Sequence, residues 1–445
     1  MRRYFKFEEL GTNYRTEILA GATTFITMAY IVVVNPLILQ GAGIPVGPST
    51  VATIIAAFVG TLLMGLYARR PFAIAPYMGE NAFIAVTVVG TLGFTWQEGL
   101  AAIFIGGVLF VAITLLKLRS WLAMAASESM KYSFVVGIGL FLTFIGLSDM
   151  GLVQAGMLGG PPVQLGDVTS PSAVLGVVGL LLMAALMTLG VRGSILISVV
   201  AVTLLANLLV RIFGVSIPSF TPLSGMPIGL PPDPTPIMFK LDFGRVFTWG
   251  FVPVLLVVFL MDFLDTMATL IGVSARAGFL DEQGNLPEIE KPMLADAIAT
   301  VVGALCGTTT TGTYIESAAG IEEGGKSGFA SVVTAFLFLL TLFFVKFVEA
   351  VPPFAYGPAL VMVGMMMMKP VTKINFDDVT ELIPSFAVIV LMSFTYNMGV
   401  GMTAGFVLYP IVKAVAGRVR EVSPPMWVLS ALSLLFYVFH YFLKG

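Results

Sequence analysis

The sequence predicts an all-α polytopic membrane protein with about 14 spans, arranged as a seven-plus-seven inverted repeat. Three observations carry this prediction: 58% of the 445 residues are apolar, only 11% are charged, and apolar runs recur along the whole chain, giving a mean hydropathy of +0.98. An ordinary soluble domain carries about 25% charged residues, so a large soluble enzyme is excluded. The formal net charge of −2 also argues against a basic nucleic-acid surface.

Fifteen apolar runs approach the roughly 20 residues that a helix needs to cross a bilayer. The first is longer than a signal-peptide core and lacks a cleavage site of small residues, so we interpret it as a span. The runs lie near residues 18–40, 49–67, 72–90, 98–117, 132–148, 172–190, 194–213, 247–273, 293–306, 308–321, 328–349, 353–368, 382–398, 400–416 and 424–443. The last run is the fifteenth, one more than the predicted fourteen spans. It could cross the membrane, lie along its interface, or show that one element near Gly399 has been divided in two.

Segments 3 and 10 are poor helices. Segment 3 contains Pro76 and Gly79, and residues 307–313 at the start of segment 10 read Gly-Thr-Thr-Thr-Thr-Gly-Thr. Thr favours extended backbone, Gly and Pro break helices, and irregular backbone inside a membrane must be satisfied by protein or trapped water. We therefore expect both segments to be short extended pieces plus half-helices, buried in the protein.

The basic residues predict the orientation. With the N-terminus inside and alternating sides, 18 of the 23 Lys and Arg fall in inner loops and four fall outside. This bias predicts a multi-pass protein of the cell membrane with a cytoplasmic N-terminus and a long Pro-rich extracellular loop at 215–246.

A weak internal echo supports the repeat. Residues 182–191 and 391–400 share Leu-Met and Gly-Val pairs at an offset of 209. This offset pairs segments 6 and 7 with 13 and 14, and the two broken segments also lie seven apart. Because seven is an odd number of spans, the second copy crosses the membrane in the opposite direction to the first. Broken helices at matching places in such inverted halves indicate the binding site of a transporter.

Five acids lie inside apolar segments: Glu80, Asp262, Asp265, Asp296 and Glu316. Each costs about 3 kcal/mol or more in a bilayer, so each is a functional candidate by default. The spacing of Asp262 and Asp265 puts both on one helix face. Asp296 follows Pro292 by four residues, near a helix start where an acid suits the helix dipole, and we expect it to have that structural role.

Other motifs are not interpreted as sites. Residues 320–327 match the phosphate-loop pattern GxxxxGKS, but they link two membrane segments and carry two glutamates that would repel phosphate. One cysteine, Cys306, and one histidine, His440, exclude an intramolecular disulfide and a multi-Cys or His-based metal site. We expect no metal, no cofactor and no enzymatic activity.

Four stretches carry a family resemblance: 21–31 (GATTFITMAYI), 75–82 (APYMGENA), 261–272 (MDFLDTMATLIG) and 307–321 (GTTTTGTYIESAAGI). In these, and over nearly its whole length, the chain resembles the nucleobase–cation symporter family of the xanthine/uracil permease superfamily, in its azaguanine-like adenine, guanine and hypoxanthine permease branch. One difference concerns segment 3, which in the family usually reads Pro-Gly-Met-Gly-Leu-Asn. Here Tyr77 and Glu80 replace the first Gly and the Leu, which could change the purine that fits.

The resemblance implies two domains that interleave along the chain. A core domain would hold 16–118 and 247–350, and a gate domain 119–214 and 351–445. The resemblance further implies that Asp262 and Glu316 hold a purine and that Asp265 and Asn81 also serve function.

The chemistry of the residues adds further expectations. Backbone N–H groups near Gly79 and Tyr314, at the half-helix N-termini, are expected to donate to the base. Buried carboxylates can accept from its N–H groups and can load a proton; the candidate proton carriers are Glu316, Asp265 and Glu80. The predicted function is import of purine nucleobases by proton symport with an elevator-like motion.

Three other functions are compared with this prediction. An anion exchanger of the same architecture should hold a positive charge, but neither broken segment has Lys or Arg. A membrane-embedded enzyme would need a metal set, a nucleophile–base pair or a nucleotide loop. A uracil or xanthine permease of a sister branch is disfavoured only through the resemblance. The preferred purine, proton or sodium coupling and the oligomeric state, a homodimer included, stay open.

Overall fold

The computed structural model describes residues 1–117, 126–156, 161–218, 220, 222–223, 225–248, 251–281 and 286–443. The first half of the chain comprises α1 (Phe7–Leu10), α2 (Tyr14–Met28), α3 (Ile31–Gln40), α4 (Val46–Leu63) with a π-helical end (Met64–Ala68), β1 (Ile74–Pro76), α5 (Met78–Ala82) with a π-helical continuation (Phe83–Thr91), α6 (Trp96–Leu115), α7 (Glu128–Asp149), β2 (Val153–Ala155), β3 (Val163–Leu165), α8 (Pro171–Thr188) and α9 (Ser194–Phe213).

The second half comprises α10 (Val252–Ala277), α11 (Glu290–Cys306), β4 (Thr311–Thr313), α12 (Ser317–Glu322), α13 (Gly328–Leu340), a 3-10 turn (Thr341–Phe344), α14 (Val345–Val348), α15 (Pro353–Met366), a 3-10 turn (Lys369–Lys373), α16 (Val379–Phe394), α17 (Met398–Val415), a 3-10 turn (Val419–Glu421) and α18 (Pro424–Leu443). Every predicted apolar run thus coincides with a helix or a strand–helix unit. The predicted domain boundary at 118/119 lies outside the described residues.

Ten helical spans among the described residues are long and apolar enough to cross a membrane, by length and composition. The last apolar run forms a helix of its own, α18, which packs on α17. Asn397 caps α17 by accepting a hydrogen bond from the Val400 N–H at 3.1 Å, and Tyr396 before it adopts a left-handed φ of 56°. α16 and α17 are therefore two helices, and the alternative of one element divided near Gly399 is wrong.

The two broken segments meet each other in the interior. β1 and β4 form an antiparallel pair in which Ile74 lies opposite Thr313 and Pro76 opposite Thr311, and all six strand residues are buried. The ladder continues beyond the strands, because the Tyr77 N–H donates to the Thr310 carbonyl at 3.0 Å. Each strand satisfies backbone groups of the other, and each leads into a short helix, α5 or α12. The prediction of extended pieces and half-helices is confirmed.

A threonine satisfies the outer edge of each strand. Thr61 on α4 accepts from the Ile74 N–H and donates to its carbonyl, both at 2.9 Å. Thr300 on α11 accepts from the Thr311 N–H at 3.1 Å and donates to its carbonyl at 3.0 Å. A hydroxyl can serve both groups because it is donor and acceptor at once. Backbone N–H and C=O groups, which would be costly to leave unpaired inside a membrane, are thereby hydrogen-bonded on both edges of each strand.

The long helices pack in two sets. In the first, α2, α4, α6, α10, α11 and α13 surround the strand pair. In the second, α7 packs against α15 and α16, while α15 also packs against α8. Gly146 and Gly364 let α7 and α15 approach closely, since a Cβ on either would overlap a backbone carbonyl of the other helix.

Candidate functional site

The half-helix after β1 presents two buried polar side chains in a single turn. Glu80 is 1% exposed and Asn81 is fully buried. Both amide atoms of Asn81 lack a hydrogen-bond partner, whereas the Glu80 carboxylate lies against the Asp265 carboxylate, so the two can share a hydrogen bond when one of them is protonated. Unpartnered polar atoms are uncommon in protein interiors, so this turn is marked as a place where a ligand or water supplies the missing partners.

The middle of α10 faces this turn with the two predicted acids. Asp262 and Asp265 are the electrostatic neighbours of Glu80. Asp262 is 1% exposed; its Oδ1 lies 3.5 Å from the Thr300 hydroxyl, whose hydrogen is donated to the Thr311 carbonyl at 3.0 Å, and its Oδ2 has no partner. The structure therefore brings Glu80, Asp262 and Asp265 together, with Asn81 adjacent in sequence.

Asp296 differs from the expectation. It is fully buried and lies in the second turn of α11, where its Oδ2 accepts a hydrogen bond from Thr266 of α10 at 2.7 Å. The backbone N–H of Thr313 on β4 also interacts with this carboxylate, and Asp296 is an electrostatic neighbour of Asp262. Asp296 therefore belongs to the acid group rather than to a helix start. Thr266 lies one helical turn beyond Asp262 on the same face of α10.

Glu316 lies at the other half-helix and is held differently. It occupies the N-cap position of α12, and its Oε1 accepts a hydrogen bond from the Tyr30 hydroxyl at 2.6 Å. Tyr30 stands between α2 and α3, at the break of the first span, and is 1% exposed. Sequence reasoning missed Tyr30, although the matching stretch 21–31 contains it. Tyr314 has both Glu316 and Glu80 as electrostatic neighbours, so it links the two groups of carboxylates.

Two tyrosines from the two broken segments lie side by side. The rings of Tyr77 and Tyr314 are nearly parallel, with an interplanar angle of 13° and centroids 6.1 Å apart. The Tyr77 hydroxyl bonds to Thr269 of α10 at 3.0 Å, and its ring covers Gly312, where a side chain would overlap it. The Tyr314 hydroxyl donates to the Pro76 carbonyl. The rings thus form a wall that both halves of the chain build.

The expected backbone donors differ between the two half-helices. The Tyr314 N–H donates to the Ala73 carbonyl at 2.9 Å, so this N–H is already used beside the strand pair. Gly79 lies in the first turn of α5, where N–H groups have no partner within the helix. Gly79 packs against Ile138 of α7, and a side chain at this position would overlap Ile138.

The carboxylates lie in a region without basic partners. None of the contacts of Glu80, Asp262, Asp265, Asp296 or Glu316 among the described residues involves Lys or Arg. In that part of the chain, no three His, Cys, Asp or Glu side chains are arranged to hold a metal ion. The site therefore offers hydrogen-bond acceptors, an amide and two aromatic rings to a small ligand.

The phosphate-loop match has another structural explanation. The Lys326 and Ser327 N–H groups donate to the Glu17 carboxylate at 3.0 and 3.2 Å. Glu17 is fully buried on α2 and fills the place that a phosphate would take. This turn fixes the loop between α12 and α13 to the first span.

Comparisons with known proteins agree with this picture. The sequence model described as Permease family (Xan_ur_permease) matches residues 15–408. The chain is 40% identical to the guanine/hypoxanthine permease PbuO of Bacillus subtilis, over 96% of this chain and 98% of that protein. It is 36% identical to the adenine permease AdeP of Escherichia coli, over 99% and 96%.

A solved structure shares the fold at low sequence identity. The transmembrane domain of the cyanobacterial bicarbonate transporter BicA superposes with a TM-score of 0.64 at 16% identity, covering 88% of this chain and 97% of that one. This likeness concerns the fold alone. Together with the family match over most of its length, the observations show that this chain is a multi-pass membrane protein that belongs to the Permease family.

Proposed function

We propose that this protein imports purine nucleobases, namely adenine, guanine or hypoxanthine, as a secondary active transporter. The observation that carries the proposal is the group of buried carboxylates without basic partners beside two parallel tyrosine rings, where the two half-helices meet. The names of the related permeases from Bacillus subtilis and Escherichia coli support the same substrate class.

The chemistry of a neutral purine fits these side chains. Its ring and exocyclic N–H groups donate to carboxylates, and such charge-assisted hydrogen bonds are stronger than neutral ones. The Asp262 and Glu316 carboxylates accept hydrogen bonds from the base. The Asn81 amide donates to and accepts from a neighbouring edge of the base, and Gly79 donates its backbone N–H. The flat faces of the base pack on the rings of Tyr77 and Tyr314.

We propose fourteen spans in two inverted sets of seven, with α18 outside the scheme. Reciprocal packing supports the repeat: α8 packs on α15 as α16 packs on α7, and α6 packs on α11 as α13 packs on α4. The matching bonds of Thr61 to Ile74 and Thr300 to Thr311 support it at atomic detail.

The proposed domains are a core of 16–118 and 247–350 and a gate of 119–214 and 351–445. The core moves past the gate in an elevator-like way, in a cell membrane with the N-terminus in the cytoplasm. The distribution of basic residues supports this orientation.

A proton is the proposed coupling ion. A buried carboxylate without a basic partner can be loaded with a proton, which lets the core cross the membrane without an uncompensated charge. The candidate carriers are Glu316, Asp265 and Glu80. Glu80 and Asp265 are mutual neighbours, so their protonation is shared.

Uptake into proteoliposomes tests the substrate assignment. Labelled adenine, guanine, hypoxanthine, xanthine, uracil and bicarbonate are compared at equal concentration. We expect at least one of the first three to accumulate and bicarbonate not to do so. Uptake of uracil or xanthine alone would move the protein to a sister branch, and uptake of bicarbonate alone would contradict the proposal.

The coupling ion is tested by currents on solid-supported membranes after purine addition. We expect the currents to grow as the external pH falls, to collapse with a protonophore, and to change little when potassium replaces sodium. The Glu316→Gln variant should lose this pH dependence. Sodium-dependent currents that ignore pH would overturn proton symport while leaving the purine assignment intact.

A further inference from the structure

A cavity of about 580 Å³ lies between the two sets of helices, away from the carboxylate group. One wall comes from the end of α3 and from the π-helix Phe83–Thr91. The other wall comes from α7, α15 and the turn between α16 and α17. We call this cavity the vestibule.

Two of the segments that build the site also build the vestibule. Its lining residue Ala85 lies one helical turn beyond Asn81 on the same segment, and Leu37 lies two turns beyond Tyr30 on the first span. In the proposed orientation, these segments run outward from the site. In that orientation, the vestibule lies on the outer side of Asn81 and Glu316.

The polar groups of the vestibule gather on the gate wall. Asp149, at the end of α7, has the Tyr356 hydroxyl beside its carboxylate and Tyr396 as a second neighbour. All three side chains line the cavity, together with the Gln40 amide of the opposite wall. No Lys or Arg among the described residues lines it, so the Asp149 carboxylate meets no basic partner in that lining.

Tyr396 is fixed in this position by its backbone and its neighbours. It has a φ of 56°, which is uncommon for a residue with a side chain and marks a locally strained turn. Its ring packs against Phe141 and Phe144 of α7, with centroids 5.2 and 5.4 Å away. The strained turn thus holds an aromatic ring at the cavity beside Asp149.

This composition is that of a small-molecule site. Ligand pockets are concave, mostly apolar, and carry a few convergent polar groups. Here apolar walls surround one carboxylate, one amide, the Thr91 hydroxyl and two tyrosines. Such a set suits a flat, neutral heteroaromatic ring with N–H donors, and it disfavours an anion because the only charge is negative.

We propose that the vestibule is a second binding site, where a purine base is held by Asp149, Tyr356 and Tyr396 before it passes to the central carboxylates. This inference rests on the proposed function and deepens it. The base donates an N–H to Asp149 and stacks on a tyrosine ring, and it then moves inward by one to two helical turns.

Uptake kinetics give the first test. The variant Asp149→Asn should raise KM for hypoxanthine and adenine about tenfold, with the maximal rate kept, because one charge-assisted bond in the capture step is weakened. The matched control is Asp167→Asn, an exposed acid on the same side that does not line the cavity. An unchanged KM, or a fall confined to the maximal rate, would overturn the proposal.

Cysteine protection gives a direct test that does not need transport. Cys306 is buried, so an introduced Val86→Cys on the vestibule wall can be labelled from outside by an impermeant maleimide. In a Glu316→Gln background, with the central site disabled, hypoxanthine should still slow this labelling severalfold. Adding Asp149→Asn should remove the protection, and a Ser148→Cys control should show none.

The outcomes distinguish failure of the vestibule site from failure of the proposed purine transport. Protection of Val86→Cys in the parent chain but not in the Glu316→Gln background would show a single, central site and overturn the vestibule. Protection that survives Asp149→Asn would also overturn it as stated. Absence of purine uptake by the parent chain would instead count against the proposed function.

Discussion

At the scale of single residues, the two predicted base ligands are prepared in different ways. Glu316 is held by a short hydrogen bond from Tyr30, whereas Asp262 makes only a long contact with Thr300 and keeps one oxygen without a partner. A carboxylate that already accepts a hydrogen bond is fixed in its orientation. A carboxylate oxygen without a partner gains more free energy from a new hydrogen-bond donor. We therefore expect the two acids to have distinct roles in the proposed site, orientation of the base for Glu316 and acceptance of its N–H for Asp262.

The first prediction concerns the charge of these acids. Asp262→Asn and Glu316→Gln keep shape and volume but remove the strong acceptor, which is worth about 1.5–3 kcal/mol. We expect each variant to lose purine uptake by at least about tenfold, with near-normal expression. Asp377→Asn, in an exposed loop, is the control. Parent-level uptake in either site variant would remove that residue from the site.

The second prediction concerns Gly312, which lies under the Tyr77 ring. Gly312→Ala places a methyl group into that ring, so Tyr77 must leave its position beside Tyr314. We expect a large loss of purine affinity, measured by binding to the purified protein. Gly272→Ala is the matched control: this α10 glycine has open space around it, and alanine there should be neutral or stabilise the helix by up to about 1 kcal/mol. Equal affinity in both variants would contradict a role for the tyrosine wall.

At the scale of helices, the second set is tied together at one end by a buried lysine. Lys413 near the end of α17 is 1% exposed and forms ion pairs of 2.9 Å with Glu381 and Glu421. Ser127, the N-cap of α7, donates to the other oxygen of Glu381 at 2.6 Å. One lysine thus connects the ends of α7, α16 and α17.

The third prediction follows from this buried charge. Lys413→Met leaves the Glu381 carboxylate without its cation, and breaking a buried pair costs about 3–5 kcal/mol. We expect a clearly lower Tm for the purified protein, partly restored in the double variant Lys413→Met/Glu381→Gln. Lys369→Met, at an exposed position, should leave Tm unchanged. An unchanged Tm for Lys413→Met would show that the network adds nothing to stability.

The same ion-pair network makes the stability of the fold depend on pH, through groups that lie outside the membrane segments. Hydrogen bonds from Arg418, then from Lys413, lower the pKa of Glu421 to about 2. A lowered folded-state pKa stabilises the fold above the unfolded value of about 4.3, and this contribution is lost as the pH falls toward 2. We expect Glu421→Gln to flatten the decline of Tm in that acid range, relative to the parent chain.

Sequence patterns could predict the elements better than the contacts between them. Pro76, Gly79 and the threonine run 307–313 mark the broken segments because local backbone preference decides them. Asp296 was assigned to a helix start because its neighbour Thr266 is distant in sequence. Tyr30 and Tyr77 had no periodic signal, since their roles depend on partners from the other half of the chain. The vestibule likewise arises only where two packed sets of helices meet.

At the scale of the whole molecule, few polar contacts join the two sets of helices within the part of the chain that the structure describes. Arg192, between α8 and α9, forms an ion pair with Glu323, which follows α12. Exposed ion pairs contribute about 0–1 kcal/mol, so this one can open without a large cost. Such a contact suits surfaces that separate and rejoin.

The fourth prediction tests motion at this contact. Arg192→Cys with Glu323→Cys, joined by a short bifunctional maleimide, should block purine uptake if the two sets must move past each other. The single cysteine variants, treated in the same way, should keep uptake, because Cys306 is buried. Full uptake after complete cross-linking would contradict an elevator-like motion.

The pairing of β1 with β4 has a consequence for how the chain is made. Residues 74–76 enter the membrane early in synthesis, yet their strand partner at 311–313 belongs to the second half. Until that half arrives, the ladder groups of β1 lack their partners, and a bare strand edge in lipid is costly. The ribosome and the insertion machinery must therefore shelter an unfinished first half. A chain that ends before residue 311 leaves this strand edge unpaired, so we expect truncated copies to be targets for membrane quality control.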